Sequence, residues 1–216
     1  MSVVLRQLLH DIRSPLASIG LVSELVSSQP STVPEQLLRT LSLHYSELIR
    51  HFTEFEIFVS DALGLDRPPA HTVSLADMLE VALMQAGPYL QRRGQSVKRS
   101  GASLGAQMVH LPEQYLKQIL LVILYDVSTC SAEGATIGVA RRRSITSAHL
   151  TVSAPLAVAV QPEALLAPRL RGSGDLNKLR LTSLAAYADL VSSYGGHLDV
   201  ATRKGQMVVR LDLPLA

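Results

Sequence analysis

Two long helical repeats, separated by one short turn, restrict what this chain can fold into more than any other feature of it. Ser2 can cap a first helix. Leu5, Leu9, Ile12, Leu16, Ile19 and Val26 then recur at helical spacings to about Ser27, with Ser23 as the one polar interruption. Ser28-Gln29-Pro30-Ser31 supplies a turn. Thr32 caps the next helix, with Pro34 in its first turn and Glu35 placed to complete a capping box. That helix runs to about Leu63, with Leu37, Leu41, Leu48, Phe52, Phe55, Val59 and Ala62 on one face. Leu8, Val22 and Leu25 widen the first stripe, and Leu38, Ile49 and Ile57 widen the second. Two helices cannot cover that much apolar surface between themselves, whereas two such hairpins packed as a four-helix bundle can. The pattern predicts a homodimer through residues 1–64. The alternative is a monomer in which the rest of the chain covers the extra flank.

Inside the first helix stands Leu8-Leu9-His10-Asp11-Ile12-Arg13-Ser14-Pro15-Leu16. Pro15 removes the hydrogen bond its N–H would have made to the Asp11 carbonyl, and its ring crowds that carbonyl, so the helix is distorted beside His10. His10 lies on the face opposite the apolar seam. Ser14, Ala17, Ser18 and Leu21 follow it at i+4, i+7, i+8 and i+11 and share its side. Small residues there leave room for another protein to approach an imidazole, and Leu21 suits the apolar rim of a docking site. Arg13, at i+3, can place a positive charge beside a phosphoryl group.

This segment resembles the H-box of bacterial histidine kinases and histidine phosphotransferases. In that box a histidine, an acid, two further positions, Thr/Ser/Asn and Pro-Leu recur in order, and His10, Asp11, Ser14, Pro15 and Leu16 match. The resemblance implies that His10 attacks phosphorus, with Asp11 orienting the ring and stabilising its positive charge. Phosphoryl transfer passes through a loose transition state, so most of its catalysis is in-line positioning and charge neutralisation. By the same resemblance, Mg²⁺ comes with the partner, a receiver domain carrying its own acidic pocket and phospho-accepting aspartate.

Composition narrows the class. With 216 residues, 47% of them hydrophobic, the chain can bury a substantial core. A net charge of +2 makes no global case for nucleic acid or membrane-surface binding, and Arg141-Arg142-Arg143 reads as the solvated end of a strand. The single cysteine, Cys130, excludes an internal disulfide framework and fits a reducing cytosol. No stretch approaches the ~20 apolar residues of a membrane helix. The first residues lack a secretory pattern, because Arg6, His10 and Asp11 interrupt the apolar run. With His10 so near the start, the expectation is a cytoplasmic relay component with no sensory domain upstream.

The remainder has a different texture. Asp66 to Thr72, with Pro68-Pro69, reads as a linker, assigned to residues 65–72, and a second domain covers residues 73–216. A helix is expected over Leu75–Leu90, short strands near Gln95–Lys98 and Gln107–Leu111, and a strongly apolar helix over Pro112–Ser128. Strands at Thr136–Arg141 and Ala148–Ser153 lead through a Pro-containing loop to a helix near Lys178–Ser193. A hairpin of His197–Thr202 and Met207–Leu213 closes the chain. That order resembles the α/β sandwich of the histidine-kinase ATP-binding domain, of the GHKL superfamily. The expected fold class is therefore α+β, a helical hairpin forming a dimeric four-helix bundle followed by that sandwich.

The nucleotide chemistry of the superfamily is missing. Val122 and Asp126 stand where its long helix carries asparagines for Mg²⁺ and phosphate; Asp126 reads as a polar residue at a helix end. Val152-Ser153-Ala154-Pro155-Leu156-Ala157-Val158 replaces Asp-x-Gly-x-Gly, whose acid reads the adenine amino group. Leu181-Thr182-Ser183-Leu184 replaces a Gly-Leu-Gly-Leu turn, although close backbone approach to phosphate leaves no space for a Cβ. Gly172-Ser173-Gly174-Asp175 reads as an ordinary loop. Gly195-Gly196 matches the family's His-Gly-Gly turn, a signature of fold and not of catalysis.

The chain thus looks like a ChpT-type histidine phosphotransferase. The resemblance implies a homodimer that shuttles a phosphoryl group between response-regulator receiver aspartates through His10, with Asp11, Arg13 and Ser14 around it and Ala17, Ser18 and Leu21 as the docking face. It would bind no ATP, metal or other cofactor itself, and neither nucleic acid nor membrane. Two alternatives stand beside it: a divergent sensor histidine kinase that uses ATP, and a non-catalytic dimeric signalling adaptor.

Overall fold

The computed structural model describes residues 16–17, 19–21, 37, 44, 48, 68–101, 107–157 and 183–216. The chain divides into two compact units, Met1–Arg67 and Pro68–Ala216. In the first unit every described residue is helical. Leu37, His44 and Leu48 are each helical, and Leu48 is buried. The expected turn at Ser28–Ser31 lies outside the described residues, and of the expected seam only Leu16, Ile19, Leu37 and Leu48 are described.

The second unit carries a five-stranded sheet in the order β2 (Ser96–Ser100), β4 (Thr136–Arg143), β5 (Ser147–Pro155), β7 (Gln206–Pro214), β6 (His197–Arg203), and a small ribbon of β1 (Thr72–Ser74) and β3 (Met108–His110). β1 is Thr72–Ser74, so Thr72, read from sequence as the end of the linker, already belongs to a strand. Three residues are too few to show an alternation, and β1 exists through its antiparallel pairing with β3 (Met108–His110).

Helix α1 (Leu75–Arg92) begins where the Ser74 side chain accepts from the Asp77 N–H at 3.2 Å. Leu75, Leu79, Ala82, Leu83, Ala86 and Leu90 form its buried stripe. It ends in a Schellman turn: the Gln95 N–H donates to Leu90 O and the Gly94 N–H to Gln91 O, each at 2.9 Å, with Gly94 at φ +64°. The next strand, β2 (Ser96–Ser100), runs parallel to β4 (Thr136–Arg143).

Helix α2 (Glu113–Cys130) differs in kind. It is buried nearly all round, from Tyr115 and Leu116 to Val127 and Cys130, as expected of a helix enclosed by other elements. It packs against α1 and α3 and against β5 and β7. β5 (Ser147–Pro155) lies antiparallel between β4 and β7 (Gln206–Pro214), and β6 (His197–Arg203) closes the far edge. Alternation fixes the two faces. Ala148, Leu150, Val152 and Ala154 of β5 are buried, while Ser147, His149, Thr151 and Ser153 between them are partly exposed.

Helix α3 (Ser183–Ser193) turns Leu184, Tyr187, Leu190 and Val191 inward. Residues 178–182 of the helix expected from sequence lie outside the described residues. At its C-terminus the Gly196 N–H donates to Val191 O and the Gly195 N–H to Ser192 O, both at 3.0 Å. Gly195 sits at φ +75°, and a Cβ on Gly196 would lie 2.8 Å from both Asp212 O and Val191 Cγ1. The glycine pair is thus set by backbone conformation at one residue and by close packing at the next.

Candidate functional site

Of the residues the sequence assigns to phosphotransfer, His10, Asp11, Arg13 and Ser14 lie outside the described residues, as does Ser18 of the docking face. Ala17 and Leu21 are described. Both are helical and exposed, Leu21 to 60%, and at a spacing of four they share a side. Leu16, counted on the seam, is 46% exposed in the single chain.

In the second unit the polar residues of the long helix α2 meet those of α1 and the turn after β5. Val122 has no exposed surface and Asp126 is only 4% exposed. Asp126 is the polar residue expected near a helix end, one turn before the last residue of α2, and it is buried there. Beside it Cys130 is fully enclosed, and burial, helped by the Asp126 charge and opposed by Arg93, pushes its thiol up to about 11. Tyr89 of α1 packs edge-on against Tyr125 with ring centroids 5.0 Å apart, and the Tyr89 and Thr129 hydroxyls share a 2.9 Å hydrogen bond.

The carbonyls at the end of α2 are taken up by neighbours. Gln95 Nε2 donates to Ser128 O at 3.1 Å and to Ala132 O at 3.0 Å, while the Ser128 hydroxyl donates to Gln95 Oε1. Arg93 Nη2 donates to Ser131 O at 3.0 Å, setting a cation where the helix has no basic residue of its own. The turn after β5 supplies a further donor: the Ala157 N–H reaches Cys130 O at 2.9 Å, and Leu156 bridges Ser131. So the segment after β5 is tied by its backbone to the C-terminal end of α2. Val152 and Ala154 are buried and Pro155 is exposed. Leu184 is buried at the start of α3. Val158, Leu181, Thr182 and the Gly172–Asp175 loop lie outside the described residues. Among the described residues no three His, Cys, Asp or Glu side chains gather into a metal site, and no helix is long and apolar enough to cross a membrane.

Sequence reasoning treated the three consecutive arginines as a strand end, and Arg142 and Arg143 are indeed exposed at the end of β4. What it missed is their company. Pairing sets Arg142 beside His149, His149 beside Asp212, and Thr151 beside Arg210, so an open groove of about 690 Å³ on the outer sheet face collects charged residues from four strands, β4, β5, β7 and the end of β6. Period-two alternation within Thr136–Arg143 and Gln206–Pro214 was the available signal, but it does not give the register that joins them.

No protein-family model matches the chain, and no curated protein does. Solved structures match it well. The nucleotide-free catalytic domain of histidine kinase ThkA superposes with a TM-score of 0.56 at 12% identity, over 68% of this chain and 98% of that one. Histidine kinase AdeS of Acinetobacter baumannii gives 0.59 at 12% identity, over 95% and 98%. ThkA in its complex with the response regulator TrrA gives 0.58 at 15% identity, over 99% of this chain and 61% of that one. The residues described in α1, α2, α3 and the five-stranded sheet thus belong to a chain with a histidine-kinase-like fold.

Proposed function

We propose that this protein is a histidine phosphotransferase that acts in a multistep phosphorelay. His10 accepts a phosphoryl group from the aspartyl phosphate of one response-regulator receiver and returns it to the aspartate of another. The phosphorus–oxygen bond to the donor breaks as the phosphorus–nitrogen bond to His10 forms, and the second transfer reverses this. Asp11 orients the imidazole, Arg13 offsets phosphoryl charge, and Ala17, Ser18 and Leu21 form the face on which the receiver rests. Residues 1–64 pair with a second copy as a four-helix bundle, residues 65–72 link, and residues 73–216 form a sandwich that has lost its nucleotide chemistry. The assignment places the chain in the cytoplasm.

The observation that carries this reading is the burial of Val122 and Asp126 on α2 within a histidine-kinase-like fold. A nucleotide with its metal needs reachable oxygen or amide ligands there. Among the described residues the place offers a valine and a packed carboxylate, and the turn after β5 has neither acid nor glycine. These residues support a reading without ATP. The ThkA–TrrA complex, in which a kinase of this fold meets a response regulator, supports a receiver as partner.

The test mixes purified protein with receivers phosphorylated on aspartate and follows the label. Acid-labile, alkali-stable label on His10 that a second receiver removes is the expected result, and His10→Ala abolishes it. Labelling of His10 by ATP and Mg²⁺ without any receiver would make the protein a kinase. Signalling that survives His10→Ala would make it an adaptor.

A further inference from the structure

The outer face of the sheet concentrates charge that the fold itself leaves unneutralised. One row runs in register across four strands: Arg142, His149, Asp212 and His197. His149 Nδ1 lies 2.6 Å from Asp212 Oδ1, so the one acid lining the groove is already engaged. Four guanidinium groups remain, those of Arg142, Arg143, Arg203 and Arg210. None of them forms an ion pair among the described residues, and Arg210 forms none even with Asp199, its register partner on β6. Four like charges around one groove repel each other, and an anionic partner relieves that repulsion.

The neighbourhood indicates which anion. Ile145 stands at the tip of the β4–β5 turn and is 97% exposed. The turn is braced: the Ser144 N–H donates to Ser147 O at 2.9 Å, and the Ser147 N–H donates to the Ser144 hydroxyl at 3.0 Å. A large aliphatic side chain held in water beside arginines has the composition of a protein interface, in which an apolar contact sits within a polar rim. No aromatic residue lines the groove, so it lacks the stacking platform used for single-stranded nucleic acid. Guanidinium forks match carboxylates two hydrogen bonds at a time.

We propose that the outer sheet face and the β4–β5 turn form a docking surface for a carboxylate-rich segment of a partner protein, with Ile145 as its apolar contact. This surface is independent of the phosphotransfer reading, and its test involves no phosphate. The probe is a fluorescein-labelled peptide of four Glu-Glu-Leu repeats, titrated by anisotropy with the full chain. Wild type is expected to bind it, Arg142→Glu/Arg210→Glu to weaken binding by at least about tenfold, and Ile145→Ser to weaken it by about threefold. Arg142→Gln/Arg210→Gln, with thermal melts of every variant, separates loss of charge from loss of fold. Absent binding, or binding unchanged in both arginine variants, overturns the proposal. So does tighter binding of a twelve-nucleotide oligo-dT that is lost in the same variants, or binding of inorganic triphosphate that Ile145→Ser leaves intact while the peptide does not compete.

Discussion

At the scale of single residues, enclosure changes chemistry. Cys130 has an ordinary value of 9.0 and is pushed up to about 11, first by burial and then by Asp126. The thiol should resist alkylation at pH 8 until the protein is denatured, which a timed iodoacetamide reaction checks. The raised value also makes stability depend on pH. The unfolded thiol ionises before the folded one, so its contribution is complete below about pH 9 and is lost as pH rises towards 11. The difference in melting temperature between wild type and Cys130→Ala should shrink across that window. Gly196 gives a steric counterpart. An alanine there places Cβ 2.8 Å from the Asp212 carbonyl oxygen, a backbone atom that cannot swing aside. Gly196→Ala should cost about 1–3 kcal/mol in a urea titration.

At the scale of elements, α2 is the member on which the sandwich depends. Its apolar surface is enclosed by α1, α3 and the sheet, and its terminal carbonyls are answered by Gln95, Arg93 and Ala157. Ile119 has no exposed surface, and Ile119→Ala should lower unfolding free energy by about 2–5 kcal/mol. Gln95→Ala removes both donors to Ser128 O and Ala132 O and strands the Ser128 hydroxyl. Its cost should be about 1–3 kcal/mol, read from the same titration. The sheet's outer face behaves differently. Arg142 and Arg210 form no ion pair among the described residues, so replacing them by glutamine should change the melting temperature little while altering binding.

At the scale of the whole molecule, a formal charge of +2 averages over an uneven distribution. The outer sheet face holds four arginines about one groove, a local field that net charge does not report. The chain divides into two compact units, Met1–Arg67 and Pro68–Ala216. Under the proposed function, the full chain should sediment at twice its 23.4 kDa mass, while residues 68–216 alone should sediment as a monomer. Equal behaviour of the two species in analytical ultracentrifugation would place the dimer contact elsewhere.

The order of elements from residue 75 onward was legible because each follows a local rule. Alternation marked β5 and β7, and a strongly apolar run marked α2. Tertiary structure decided the rest. It made a strand of Thr72–Ser74, whose only reason to be one is a partner more than thirty residues away. It buried Asp126, because whether a helix position faces solvent or core depends on what packs there. It also gathered Arg142, His149, Arg210 and Asp212 onto one face, since strand register is a relation between distant segments and no local pattern contains it.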